Sequence, residues 1–436
     1  MISILNFLQG EKKAFTDSVS AFLPESVLIP FWQGNDSSCE SVVSPGDMVQ
    51  EGQMIARYNS STDTSAELTV HSSIPGKVTE IVIGQLPNGK ESLAARIRLQ
   101  GSFTFRGKKS DTVDWKDCSP EFLKTVIAEK GIVNTFSVEH PSYLCTDISN
   151  HADKQNRLLI VRLYDEDPSC ATDSSVAGIY YDEVVEGTAA LAKAAKTAGI
   201  VFLHSVHAAL QVQEKQELLN GIPVLHVTVN SRTYPCGFKR NLLSYIQNAS
   251  KEEPFCNADL NDLYTDALTM IHMYNAAVYA KPVIDQYIHV TGNCVPATGL
   301  LKTCIGTSLG ALAEQCGGFK SDPAKIIING LFTGCAVNSL DIPVTKYVKS
   351  VEFMPAHQVP DQRQTTCIRC GKCRQICPQG LCPDILYMHI SRAIDISDIY
   401  LKTAKYCLGC SLCNSVCSAR LPLCQTIALL KGEKNE

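Results

Sequence analysis

Two runs of closely spaced cysteines near the C-terminal end constrain the fold of this chain more than any other feature. The first run is Cys367, Cys370, Cys373 and Cys377, and the second is Cys407, Cys410, Cys413 and Cys417. Each run has the spacing C-x2-C-x2-C-x3-C, which is typical of segments that hold 4Fe-4S clusters. Three thiolates at two-residue gaps wrap one face of a cluster, and the fourth points towards the neighbouring cluster. The spacing therefore predicts an electron carrier with two cross-ligated clusters.

Cross-ligation assigns four cysteines to each predicted cluster. The first set is Cys367, Cys370, Cys373 and Cys417, and the second is Cys407, Cys410, Cys413 and Cys377. Structural zinc is the alternative, but zinc sites usually pair two C-x2-C units across a dozen or more residues and leave no cysteine over. Cys382 and Cys424 are interpreted as buried structural thiols, the usual state of free cysteine.

Charged residues distinguish the two runs. Arg369, Lys372 and Arg374 lie within the first run, whereas no charged residue lies between the cysteines of the second. Positive charge favours the reduced, more negative state of a cluster. We therefore expect the cluster built mainly on the first run to have the higher potential.

Composition excludes several classes of function. The chain has 436 residues with a formal net charge of −5, and its basic residues are scattered, so nothing indicates a nucleic-acid partner. Its start lacks the features of a signal peptide, and no apolar segment reaches the ~20 residues that a bilayer span needs. The ten cysteines before Cys367 have no paired spacing, which favours reduced thiols in the cytosol.

Sequence patterns divide the chain into several units. Residues 1–25 are interpreted as a helical or irregular lead-in. Residues 26–100 alternate short strands with Pro-Gly and Glu-Gly turns, which predicts an all-β unit that looks like a lipoyl-type barrel-sandwich hybrid. Residues 115–282 alternate strands and helices, which predicts a mostly parallel α/β sheet. Residues 285–352 form a compact unit of mixed strands and one helix. The cysteine-rich unit covers 360–436, with helices expected between the two runs.

The order of several motifs resembles one family. GDMVQEGQMIA, HSSIPGKV, TYPCGFKRNLL, KPVIDQYIHVTG, CGGFKSDP and SLDIPVTK precede the two cysteine runs. From about Val27 to its end, the chain resembles the C subunit of the Rnf complex, the ion-pumping ferredoxin:NAD+ oxidoreductase of bacterial membranes. The resemblance implies a multidomain α/β plus β protein: a barrel-sandwich hybrid, a Rossmann-like domain akin to the NADH-binding subunit of complex I, a β-grasp unit and a helical two-cluster ferredoxin domain.

One segment departs from the family in a way that concerns cofactors. The family segment GIVGLGGAGFPT opens the flavin and NADH site, where glycines let backbone N–H groups approach phosphate. In this chain Asn134, Phe136, Ser137 and Glu139 stand where four glycines belong. A Phe side chain occupies space that the nucleotide needs, and a Glu carboxylate repels phosphate. The usual FMN and NADH site is therefore expected to be lost or remodelled.

A neighbouring acidic motif is also altered. The family pattern NGAECEPxxxxD becomes a segment that begins at Arg162 and Leu163. Asp165, Asp167 and Asp173 keep the acidic residues of that pattern, either as solvated residues at a strand end or with a residual role in binding.

The leading functional prediction is a peripheral electron-transfer subunit of an Rnf-type translocase on the cytoplasmic side of the inner membrane. Its expected partners are the membrane subunits and a small electron-carrier protein or ferredoxin-type domain. Three alternatives remain: a flavin-dependent NADH oxidoreductase subunit with an atypical nucleotide site, a subunit similar to cobalamin reductase, and a scaffold whose clusters only stabilise the fold. The second of these requires the same glycine loop.

Overall fold

The computed structural model describes residues 14–32, 39–58, 68–106, 112–150, 152–206, 218–231, 233–359, 363–393 and 395–432. The first thirteen residues of the expected lead-in lie outside the described residues. So do 360–362 and 433–436, at the two ends of the cysteine-rich unit. Within the described ranges, no helix combines the length and the apolar character that crossing a bilayer requires.

The N-terminal unit, which follows strand β1 Val19–Ser20, consists of antiparallel strands. Its strands are β2 Ser26–Pro30, β3 Glu40–Ser41, β4 Met48–Val49, β5 Met54–Tyr58, β6 Leu68–His71, β7 Gly76–Gln85 and β8 Glu91–Leu99. Among the described residues, one sheet has the order β2-β8-β7-β4 and a second has the order β3-β5-β6. Ile29 and Ile97 from the first sheet share one hydrophobic core with Ile55 and Val70 from the second. The predicted all-β unit is confirmed.

The second unit contains the parallel sheet. Its strands are β9 Val133–Asn134, β10 Ser142–Tyr143, β11 Leu158–Arg162, β12 Gly199–Ser205, β13 Leu218–Leu219, β14 Ile222–Val229 and β15 Leu263–Asp266. Its helices are α1 Pro120–Glu129, α2 Leu144–Ser149, α3 Thr172–Ile179, α4 Tyr181–Ala195, α5 Lys239–Ala249 and α6 Ala267–Tyr279, with 3-10 turns at Trp115–Asp117 and Phe255–Asn257. Among the described residues, five of these strands form a sheet in the order β13-β14-β12-β11-β15, and β9 pairs with β10 separately. Strands β14, β12, β11 and β15 run parallel, as predicted.

The third unit is built on a mixed sheet. Its elements are β16 Asp285–Thr291, β17 Gly299–Cys304, α7 Leu309–Gln315, β18 Lys325–Ile328, β19 Cys335–Val337 and β20 Ser350–Met354, followed by a 3-10 turn at Ala356–Gln358. In the described part of the chain this sheet has the order β1-β17-β16-β20-β18-β19. Strand β1, which precedes the N-terminal unit, therefore pairs in parallel with the third unit, with Val19 opposite Leu301.

The C-terminal unit is helical in its described residues. It comprises α8 Lys372–Ile376, α9 Pro383–Arg392, α10 Asp398–Thr403, a 3-10 turn at Ala404–Tyr406, α11 Leu412–Ser415 and α12 Leu423–Gly432. Helices α9 and α10 lie between the two cysteine runs, which confirms the helices expected there.

One local expectation was wrong. Residues 19 and 20 of the lead-in form a strand, which pairs in parallel with β17. Helix α4 is followed by Lys196, whose φ is 52°. Strand β15 ends at Asp266, and the Asp266 side chain begins α6 by accepting from the Thr269 amide at 2.8 Å.

Candidate functional site

The two cysteine runs follow the same backbone path. Arg369, Gly371 and Gly380 have positive φ in and after the first run, with values of 55°, 74° and 64°. The matching residues of the second run are Gly409, Ser411 and Arg420, with φ of 82°, 55° and 55°. In each run a left-handed residue precedes a short helix that contains the third cysteine. These turns fold each run back on itself, so that its first three cysteines face a common space.

Four predicted ligands line a first recess at the surface of the C-terminal unit. It is formed by Cys367, Cys370, Cys373 and Cys417 and has a volume of about 360 Å³, including space open to solvent. Cys370 is exposed and Cys373 is buried. Cys417 belongs to the second run, so the lining has the composition that cross-ligation predicts.

The other four predicted ligands line a second recess of about 330 Å³. They are Cys407, Cys410 and Cys413 of the second run and Cys377 of the first. Cys424 lines the same recess and packs in one cluster with Cys407 and Cys413. Sequence reasoning assigned Cys424 only a structural role, whereas the fold places it beside predicted ligands.

The donor set of both recesses fits an iron–sulfur cluster. No carboxylate lines the second recess, and the carboxylate at the first, Asp384, is paired with Arg374 at 2.6 Å. A set of cysteine thiolates in apolar surroundings favours iron–sulfur clusters, and also zinc. No three described His, Cys, Asp or Glu side chains converge closely enough to hold a single metal ion.

The second recess abuts the parallel-sheet unit. The Tyr234 hydroxyl donates to the carbonyl oxygen of Cys410 at 2.9 Å. Gly409 lies so close to Glu139 that a Cβ there would stand 2.8 Å from the Glu139 Oε2 atom. The guanidinium of Arg240 stacks on the Tyr406 ring at 5.2 Å. The second recess is therefore set against protein, while the first faces solvent.

Residues 131–142, which lack the four glycines of the family pattern, are here called the altered loop. Side chains of the chain itself fill the space around it. Asn134 is buried and donates to Asp147 at 2.7 Å and to the Tyr264 carbonyl at 2.9 Å. Phe136 is 3% exposed and stacks tilted on Tyr264. Ser137 is half-buried, while Glu139 is exposed beside the second cysteine run. Of these four residues, two fasten the loop internally and Glu139 faces the C-terminal unit.

Arg162, at the end of β11, closes the same region. Its side chain is 1% exposed and donates to the carbonyl oxygens of Tyr164, Gly237 and Phe136 at 3.1, 2.8 and 2.9 Å. The guanidinium also lies over the Phe136 ring at 4.2 Å. All three carbonyl oxygens belong to this chain, so the guanidinium fills the space between the altered loop and the sheet.

Asp165, Asp167 and Asp173 are buried, and their carboxylates accept hydrogen bonds from backbone amides. Asp165 accepts from the amides of Thr172 and Asp173 at 2.8 and 3.0 Å and so fixes the start of α3. Asp167 accepts from the amides of Phe332 and Thr333 at 2.7 and 2.9 Å, which joins the second unit to the third. Gly330 must be glycine, because a Cβ there would stand 2.4 Å from the Asp167 carboxylate. The prediction of solvated acids is wrong.

Asp173 belongs to a buried charge cluster, which we define as Arg162, Glu166, Asp173, Asp266 and Lys349. The Lys349 ammonium lies 2.7 Å from Asp173 and 2.5 Å from Asp266, and Arg162 lies 3.9 Å from Glu166. Burial, reinforced by the charge of Asp266, raises the pKa of Asp173 to about 7. Burial also raises the pKa of Glu166 to about 7, which Arg162 only partly offsets. Burial acts in the same direction on Asp266, but Lys349 outweighs it and lowers the pKa.

The recess lined by residues of the buried charge cluster is a poor site for a nucleotide phosphate. It has a volume of about 260 Å³ and is lined by Asp165, Glu166, Asp167 and Asp173, together with Arg162 and Lys349. Both cations already have internal partners, and the carboxylates repel phosphate. The residues in this part of the described structure do not fit a bound flavin or nicotinamide phosphate.

Comparison with known proteins shows which proteins the chain is similar to. A model of the RnfC barrel-sandwich hybrid domain matches residues 9–101. The C subunit of the proton-translocating ferredoxin:NAD(+) oxidoreductase complex of Clostridium ljungdahlii is 25% identical over 84% of this chain and 78% of its own length. The C subunit of the ion-translocating oxidoreductase complex of Rhodobacter capsulatus is 24% identical over 95% and 79%. The chain is a relative of the Rnf complex C subunits.

The relationship extends beyond one lineage of Rnf C subunits. The C subunit of the Na(+)-translocating ferredoxin:NAD(+) oxidoreductase complex of Acetobacterium woodii is 23% identical over 83% of this chain and 80% of its own length. In all three relatives the match covers most of both chains, so the likeness is not confined to the N-terminal unit.

A solved structure shares part of the fold of this Rnf C relative. A chain of an NAD+-reducing [NiFe]-hydrogenase in the air-oxidized state superposes with a TM-score of 0.50 at 13% identity. The superposition covers 72% of this chain and 63% of the hydrogenase chain, so the match spans less than two thirds of that protein. At this level of identity the likeness concerns the fold alone.

Sequence reasoning missed several residues of the candidate site. Lys349 pairs with both Asp173 and Asp266 but lies far from them in the chain, and Tyr234 contacts Cys410 across 176 residues. No local pattern marks them. The replacement of Asn-Gly by Arg162 and Leu163 was the only local signal, and it was noted as a departure without a role for the arginine.

Proposed function

We propose that this chain is a peripheral electron-transfer subunit of an Rnf-type ion-translocating oxidoreductase complex. In this proposal Cys367, Cys370, Cys373 and Cys417 hold one 4Fe-4S cluster, and Cys407, Cys410, Cys413 and Cys377 hold the other. Such clusters, when bound, accept and donate single electrons. The observation that carries the proposal is the exchange of fourth cysteines between the two recesses, because Cys417 lines the first and Cys377 the second.

The residues around the cysteines have their own tasks in this proposal. Leu421 and Leu423 pack with Cys373 and Cys413 in one apolar cluster, which keeps water from the thiolates. Tyr234 fixes the backbone of Cys410, and Glu139 places a negative charge beside Gly409. The parallel-sheet unit therefore positions the second recess and sets its electrostatic surroundings.

The nucleotide function of the family is lost or remodelled in this chain, in our proposal. Phe136 and Arg162 fill the region of the altered loop, and the adjacent recess presents carboxylates where a phosphate needs donors. The NADH and FMN chemistry would then belong to another part of the assembly. We place the chain on the cytoplasmic side of the inner membrane, in contact with membrane subunits of the complex and a small electron-carrier protein or ferredoxin-type domain.

The proposal is tested on anaerobically purified full-length protein. Iron and acid-labile sulfide analysis with electron paramagnetic resonance should give two clusters per chain that dithionite reduces without loss of secondary structure. Calorimetry of the same sample should show no binding of NADH or FMN. Two zinc ions without sulfide would replace the electron-transfer role with a structural one, and stoichiometric flavin would favour the oxidoreductase alternative with an atypical nucleotide site.

A further inference from the structure

The outer face of the first recess is exposed and positively charged. Cys370 is exposed, and the neighbouring Ile368 side chain is 69% exposed. Arg369 and Lys372 line the same recess and are both exposed. Arg420 is exposed directly after Ala419, which also lines the recess. A thiol ligand position, one apolar side chain and three cations therefore share this surface.

Positive charge is concentrated in the C-terminal unit. Residues 363–432 contain nine Lys and Arg against three Asp, although the whole chain has a net charge of −5. No Asp or Glu lies between residues 363 and 383 or between residues 399 and 432. Asp384 is buried against Arg374 and so contributes no free negative charge to the surface. The unit that carries the cysteines is a positive surface on a negative protein.

We propose that the surface formed by Ile368, Arg369, Cys370, Lys372 and Arg420 is a docking face for an acidic electron-transfer protein. This inference rests on the proposed function, since only a redox centre behind Cys370 gives such a partner a reason to approach. Complementary charges steer the encounter and fix the orientation of the partner. The small apolar contact at Ile368 fits a weak, short-lived complex, in which electron-transfer proteins bury little surface.

The same surface is a poor match to a lipid membrane. Membrane-binding faces combine basic residues with a broad apolar stripe that enters the headgroup region. Here Ile368 is the single large apolar side chain with high exposure on the described rim of the first recess. The second recess offers no comparable face, because Cys410 and Gly409 lie against the parallel-sheet unit. Electrons would therefore enter or leave on the side of the first recess.

The experiment uses the full-length protein with its clusters, and a purified small acidic ferredoxin as probe. Binding is measured by biolayer interferometry at low and high ionic strength for the wild type and for the double variant Arg369→Gln/Lys372→Gln. The matched control is Lys77→Gln/Lys402→Gln, which removes two exposed charges that do not line the recess. A ferredoxin whose carboxylates have been amidated, and vesicles of phosphatidylglycerol, are tested in parallel.

We expect the double variant to bind the ferredoxin about tenfold more weakly at low salt, mainly through a slower association rate. The control should bind as the wild type does, the difference should vanish at high salt, and the amidated ferredoxin should not bind. Equal affinities of the two double variants would overturn the proposal, as would binding to vesicles alone. Iron, sulfide and paramagnetic resonance of each sample separate the two hypotheses: samples with intact clusters that fail to bind refute the docking face only, whereas samples without clusters refute the proposed function.

Discussion

The guanidinium of Arg162 lies over the ring of Phe136 at 4.2 Å and donates a hydrogen bond to the carbonyl oxygen of the same residue. Both residues stand where the Rnf C pattern has small residues, Asn and Gly. The two replacements therefore complement each other: the aromatic ring supplies a surface that the buried cation covers. This pairing packs the altered loop against the end of β11.

Replacement of Arg162 tests whether its side chain stabilises the fold. Arg162→Ala leaves three carbonyl oxygens without their donor and removes a buried charge that balances Glu166. We expect the free energy of unfolding to fall by about 3 kcal/mol. Urea titration followed by circular dichroism measures it. The control Arg96→Ala breaks an exposed ion pair with Glu80 and should cost less than about 1 kcal/mol. Equal losses in the two variants would contradict the role of Arg162.

The identity of the ligands is tested at Cys417 and Cys424. Because Cys417 lines the first recess, Cys417→Ala should alter the cluster built on the first run and leave the other intact. Cys424→Ala should retain both clusters, although Cys424 lies beside Cys407 and Cys413. Paramagnetic resonance and iron content of the two variants provide the measurement. Loss of a cluster on replacement of Cys424 would show that it is one of the ligands of the second recess.

The electrostatic role of Glu139 is tested by potentiometry. Its carboxylate lies beside Gly409, and a negative charge there disfavours the reduced state of a cluster in the second recess. Glu139→Gln should raise the midpoint potential of that cluster by on the order of 30 mV. The control Glu129→Gln, at an exposed position at the end of α1, should leave both potentials unchanged.

The order of the two wild-type potentials comes from the same titrations. Arg369 and Lys372 lie at the first recess, while Arg374 is neutralised by Asp384. The first-run cluster should still have the higher potential, because the second recess is more buried and has Glu139 beside it. Variants Cys370→Ala and Cys410→Ala assign the two waves, and the reverse order would refute the charge argument.

Glu166 makes stability depend on pH. Burial raises its pKa from 4.5 to about 7, so the folded state binds a proton that the unfolded state releases between those values. The contribution of Glu166 to the free energy of unfolding should therefore decrease by roughly 2 kcal/mol as the pH rises from 5 to 7.5 and then level off. Asp173, whose pKa burial also raises to about 7, adds a decrease of the same sign. Glu166→Gln removes the contribution of Glu166, which thermal unfolding across that pH range detects. An unchanged pH profile in the variant would show that Glu166 is already ionised at pH 5.

The cysteine patterns could be recognised in the sequence because their residues lie close together in the chain. Eight cysteines at fixed spacing predicted two sets of ligands, and each set lines one recess. Turn residues with alternating strands predicted the N-terminal sheets. The exchange of Cys377 and Cys417 as ligands stays a prediction, based on the direction of the fourth thiolate. In these segments the residues that determine the structure are neighbours in the chain.

Long-range contacts could not be predicted, because the residues that meet are far apart in the chain. Lys349 meets Asp173 across 176 residues, and β1 finds its partner strand more than 280 residues away. A strand of two residues has no periodicity to detect, and a lone lysine has no motif. For the acids of the second unit the sequence left two alternatives, solvation or a residual role in binding. Neither anticipated their amide partners, which come from α3 and from the loop after β18.

The repeated backbone path of the two cysteine runs has an electrochemical consequence. Left-handed residues recur at three equivalent places, so the polypeptide builds one holder twice and turns one copy outward and the other inward. Because the two runs share one backbone path, that path alone would give two clusters similar potentials. Any difference would come from side chains and surroundings: exposed cations and solvent at the first recess, and Tyr234, Glu139 and the parallel-sheet unit at the second.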